Sequence, residues 1–93
     1  MTAAIIAVHT ITQADARAVL GYMGQAPGKN SREGAPTEDS MVEHLLSAAV
    51  LADDYNLERL ARGYEGLVSA VRVHRELPNG VTFLRGIGWP TPF

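Results

Sequence analysis

"YNLERLARGYEGLVSAVRVHREL", Tyr55 to Leu77, carries the clearest periodicity in this 93-residue chain. Leu57, Leu60, Ala61, Tyr64, Leu67, Val68 and Val71 recur at the 3.6-residue spacing of a helix with one apolar face. The spacing predicts a single helix over 55–77 with that stripe turned to a core. Gly63, Gly66 and Ala70 form a smooth strip on another side. Each glycine inside a helix costs roughly 1 kcal/mol relative to alanine. Two on one face suggest that a neighbouring backbone comes close there, so the strip is expected to contact a partner. Glu58 with Arg62 and Arg72 with Glu76 are i,i+4 pairs that furnish a solvated edge.

Immediately upstream, Ser40 and Glu43 have the spacing of a capping box and open a second helix that runs to about Ala52. Met41, Val42, Leu45, Leu46, Ala48, Ala49, Val50 and Ala52 cover most of its circumference, leaving Glu43, His44 and Ser47 as a narrow polar remainder. Such a helix is expected to pack on more than one side. Asp53 and Asp54 break the pattern and either can cap the next helix, so a tight helical hairpin is expected, with one long bent helix as the alternative. The joined stretch "LLSAAVLADDYNLERLARGYEGL" is similar to the paired helices near the end of BTB-type interaction domains, although the sheet those domains carry has no counterpart here.

Downstream, "LPNG" ends the long helix, because proline cannot continue it and Asn-Gly favours positive φ. "VTFLR" at 81–85 then reads as a short strand, as does the apolar, β-branched run Ala3 to Val8. The expected fold is therefore mainly α, with three helices including the hairpin and a small two-stranded β element, or α+β if the two strands pair. Residues 1–86 make one small domain. Residues 87–93 make an apolar tail whose Ile87, Trp89 and Phe93, set among glycines and prolines, are expected to dock on the domain or on a partner.

The first helix follows the N-terminal run. Thr12 is a suitable N-cap, Asp15 completes a capping box, and Ile11 can staple against Ala16. Ala16, Val19, Leu20 and Met23 share a face, and the glycines at 21 and 24 place the end near Met23 or Gly24. "TITQADARAVLGYMG" resembles the opening helix of helix-turn-helix regulators, which implies DNA binding. A short turn and a recognition helix with a basic start should follow. Instead come the loop residues 25–37 and then the acidic start Glu38, Asp39 and Glu43. DNA binding is thus the alternative reading.

The loop contains "GQAPGKNSREG", Gly24 to Gly34, which looks like a phosphate-binding loop at first sight. That motif needs four residues between its first glycine and Gly-Lys, a hydroxyl residue straight after the lysine, a preceding strand and a following helix. Here Gly24 and Gly28 enclose three residues, Asn30 follows Lys29, and a helix precedes. No nucleotide site is expected, and a thirteen-residue connection of this composition is expected to be disordered, with a functional loop as the alternative.

Other chemistry is sparse. His9, His44 and His74 form no ligand pair, the adjacent Asp53 and Asp54 are accounted for by capping, and no serine sits in a nucleophile elbow. Cysteine is absent, so neither disulfides nor thiolate metal sites are available. No cofactor, metal or enzymatic activity is expected. A net charge of -2 argues against a broad nucleic-acid-binding surface. Seven of the eight basic residues are arginine and alanine is abundant, as in proteins of GC-rich genomes such as those of actinobacteria and their phages. No apolar run reaches the roughly 20 residues of a membrane span, and "AAIIAV" is too short for a secretory signal, so a cytoplasmic protein is expected. A chain of this size buries only roughly 60–65% of its unfolded surface, and without staples it relies on packing or self-association. The expected function is accordingly a small interaction or regulatory module that binds a partner protein or itself.

Overall fold

The computed structural model describes residues 6–90. Among them are five α-helices, one 3-10 turn at Val8–Thr10 and no strand. The helices are α1 (Gln13–Tyr22), α2 (Met41–Leu51), α3 (Asp54–Ala61), α4 (Glu65–Glu76) and α5 (Gly80–Gly88). The expected β element is therefore corrected: Val8 belongs to the 3-10 turn, and the segment read as a second strand lies inside α5. Residues 3–5 of the first expected strand, and Phe93, lie outside the described residues.

The reason for α5 is tertiary. Its β-branched and aromatic residues favour a strand locally, but Val81, Leu84 and Ile87 also fall at helical spacing. As a helix they present one face to the core, where Leu84 is fully buried and Val81 and Ile87 pack alongside. Residues 87 and 88, read as the first of the tail, complete this helix.

The predicted helix over 55–77 is divided in two. Uninterrupted, its 23 residues would form a rod about 34 Å long. The chain instead breaks at Arg62 to Tyr64, around Gly63; most of the stripe stays inward, but Tyr64, expected in it, is 39% exposed at the break. Leu57 is buried from α3, and Leu67, Val68 and Val71 from α4. α4 is the central helix and touches every other element. Ile11, Ala16, Val19 and Leu20 from the N-terminal side, Leu46 and Ala49 from α2, and Leu84 from α5 close the core around it.

The caps follow the sequence closely. Thr12 accepts from the Asp15 amide at 3.1 Å, while the Asp15 carboxylate accepts from the Thr12 amide at 3.0 Å. Ser40 caps α2 through the Glu43 amide, and Asp53 caps α3 through the Asn56 amide. Gly24, at φ 69°, ends α1 in a Schellman motif: the Gln25 amide donates to the Leu20 carbonyl and the Gly24 amide to that of Gly21.

The segment between α1 and α2 folds back on α1. Its amides at Ala26, Glu33 and Ala35 donate to carbonyls at Ser31, Asn30 and Arg32, and the Asn30 side chain accepts from the Arg32 amide. The backbone at 33–35 lies so close to Gly21 that a Cβ there would strike Ala35 N and Glu33 O. The loop expected to be disordered thus has a defined path along α1.

Candidate interaction surface

α2 has two apolar sides, and only one of them is covered. Leu46 and Ala49 face inward and are fully buried. Met41, Ala48 and Leu51, with Ala52 beside them, recur at intervals of seven and three or four along the other side. There Met41 is 63% and Leu51 84% exposed. The neighbouring helix α3 does not hide them. Between α2 and α3 lies an open groove of about 660 Å³, lined by Ala48, Leu51, Ala52, Asn56, Arg59 and Leu60.

Two exposed tyrosines lie on α3 and just beyond its end. Tyr55, 66% exposed, carries the Arg59 guanidinium 5.7 Å from its ring centroid. Tyr64, 39% exposed, places its hydroxyl 3.7 Å from the Met41 sulfur. Four of the six exposed large apolar or aromatic side chains among the described residues thus belong to α2, α3 or the turn that follows. Asn56 and Arg59 are the polar groups of the lining, so this groove offers apolar contact and hydrogen bonding, with no nucleophile or acid–base pair.

The residues singled out in the sequence are distributed differently. Gly63 is exposed at the α3–α4 break, and a Cβ there would meet nothing within 4 Å. Gly66 does serve a close approach, but to the chain's own Thr10 carbonyl and Asp15 carboxylate. Ala70 is fully buried in the core. Ser69 beside it, the one buried polar side chain among the described residues, lies 3.2 Å from the Thr10 hydroxyl.

Ile87 packs on the core from the last turn of α5. Trp89 is half-buried against the same domain, with the Arg17 guanidinium 5.5 Å from its ring centroid. Arg17 Nε also donates to the Gly88 carbonyl at 2.6 Å, and Gln13 Nε2 donates to it at 3.2 Å. The start of the tail is thereby fastened to α1. Of the expected contact residues, the structure places Ile87 on the core, Trp89 against Arg17 of α1, and Gly66 with Ala70 on the inner side of α4.

The histidines stand apart. His9 is exposed, His44 lies 3.9 Å from Asp39 on the surface, and His74 Nε2 is 2.6 Å from Gln25 Oε1. Burial pushes the His74 pKa below its ordinary value. Among the described residues no group of three His, Asp or Glu could hold a metal ion. α1, the helix that resembles the start of a helix-turn-helix, is followed by the long loop and packs against α5, α4 and α2. No described helix is long and apolar enough to cross a membrane.

Sequence reasoning missed Met41, Leu51, Tyr55, Asn56 and Arg59 as a surface. The signal was present in part, since α2 is apolar on nearly every side. No protein-family model matches the chain, and comparison with curated proteins and with solved structures also finds no match.

Proposed function

We propose that the chain is a non-enzymatic protein-interaction module of the cytoplasm, acting through the α2–α3 groove. The observation that carries this reading is the uncovered second face of α2, with Leu51 84% exposed beside an open apolar groove. A single exposed leucine is ordinary, whereas a contiguous apolar patch marks an interaction site. Interfaces are enriched in tyrosine, methionine and arginine, and Met41, Tyr55, Arg59 and Tyr64 bring those residue types together here.

The test compares wild type with Leu51→Asp and with Thr82→Asp, a control on exposed α5, as baits in extract of the source cells. Wild type and the control are expected to retain the same polypeptide, whether another protein or a further copy of this chain, and Leu51→Asp to lose it. Equal retention by all three proteins contradicts the assignment of this face.

A further inference from the structure

We infer that the occupant of the groove is a second copy of this chain, packed antiparallel across α2 so that Met41 of each copy enters the groove beside Leu51 of the other. The inference rests on the reading of the α2–α3 face as an interaction surface and names its partner.

The first argument is area. Met41, Leu51, Tyr55 and Tyr64 are side chains of roughly 150–250 Å² each. At their observed exposures of 63, 84, 66 and 39% they offer about 500 Å² to a partner. Ala48, His44, Asn56 and Arg59 border them, which brings the face close to the ~800 Å² per partner of a standard stable interface.

The second argument is shape. In a two-fold arrangement the same patch must fit itself. α2 carries a protruding unbranched side chain, Met41, at one end and the groove flanked by Leu51, Asn56 and Leu60 at the other, with the small Ala48 between them. An axis crossing α2 at the height of Leu46 sets Met41 opposite Leu51 and His44 opposite Ala48. Knob and groove then meet twice.

The third argument is charge. Glu38 and Asp39 lie at the start of α2, whereas its other end carries both signs, with Asp53 and Asp54 beside Arg59 of the groove lining and Arg75, which donates to the Ala52 carbonyl at 3.0 Å. An antiparallel pair keeps the acidic starts of the two α2 helices apart, and a parallel pair would set acid on acid. At that other end Asp53 accepts from the Asn56 amide and Asp54 lies 3.5 Å from Arg72.

Absence of native cysteine makes the register testable in the full chain. Sedimentation at micromolar concentration is expected to show a dimer, and Leu51→Asp, at a site too exposed to disturb the core, to weaken it at least tenfold with an unchanged circular dichroism spectrum. A mixture of Met41→Cys and Leu51→Cys proteins is expected to yield the mixed disulfide on mild oxidation. Met41→Cys alone should not, because the two copies of that position lie about 15 Å apart along the helices. A monomer at every concentration, a dimer indifferent to Leu51→Asp, or dominant Met41→Cys self-linkage each overturns the inference. A monomer whose Leu51 face still captures a different polypeptide from extract removes the second copy while leaving the interaction reading in place.

Discussion

The Val73 carbonyl occupies the space that a Cβ on residue 80 would need, so the glycine at the start of α5 is what lets that helix lie against α4. Gly80 has no positive φ, and its role is close approach. Gly80→Ala forces α5 away from α4 and is expected to cost about 1–3 kcal/mol, the usual range for overpacking. Gly86 is on the exposed side of the same helix with nothing within 4 Å of a Cβ. Gly86→Ala should therefore stabilise by about 0.5–1 kcal/mol through helix propensity. Urea denaturation of the two variants checks the opposite signs.

Gly66→Ala is expected to act on folding and not on assembly. The added Cβ meets the Thr10 carbonyl and the Asp15 carboxylate, and Asp15 is the reciprocal partner in the α1 capping box. A loss of about 1–3 kcal/mol follows from crowding plus disturbance of the cap. Gly63→Ala, in open space, is the control and should leave the melting temperature within a few degrees of wild type.

Trp89 reports on the docked end of α5. Its indole nitrogen is buried and its ring lies under the Arg17 guanidinium. Emission of the sole tryptophan should be blue-shifted in the native protein. Arg17→Ala removes the stacked cation and the charge-assisted hydrogen bond to the Gly88 carbonyl, and is expected to shift emission to the red and cost about 1–3 kcal/mol. Unchanged emission in that variant would contradict the contact.

Stability should depend on the His74 proton. Burial lowers its folded pKa below the value near 6.5 of the unfolded chain, so the unfolded state binds more protons in this range. The contribution is fully present above the unfolded pKa and is lost as pH falls through the folded pKa. The urea midpoint is expected to be lower at pH about 5 than at pH about 7.5. His74→Gln should remove this part of the pH dependence, while the exposed His9 and His44 remain.

The helix starts were legible because capping is local chemistry. Thr12 with Asp15 forms the full capping box and Asp53 caps α3, whereas at α2 Ser40 accepts from the Glu43 amide but the Glu43 carboxylate accepts from the Asp39 amide, so half of the expected box forms. The break at Gly63 was not legible, because Leu57 and Leu67 stay on the inward side across it and the periodicity passes over the turn. α5 was misread because the local strand preference of Val81, Thr82 and Phe83 is outweighed by burial of Leu84 against α4 and α1, a contact between distant parts of the chain. Asn79-Gly80 looked like turn chemistry, but the constraint on Gly80 comes from Val73. The candidate site was legible only as an excess of apolar residues on α2. Which stripe stays uncovered depends on how α3 and α4 pack, and no local pattern encodes that.

We propose the outer α2–α3 face as the place where this protein meets its partner. Photo-crosslinking in the source cells tests it most directly, with a photoreactive residue at position 51 and, in parallel, at position 82 on α5. A specific protein adduct is expected from position 51, of twice the chain's mass if the partner is a second copy, and none from position 82. No adduct from position 51, or the reverse pattern, would contradict it.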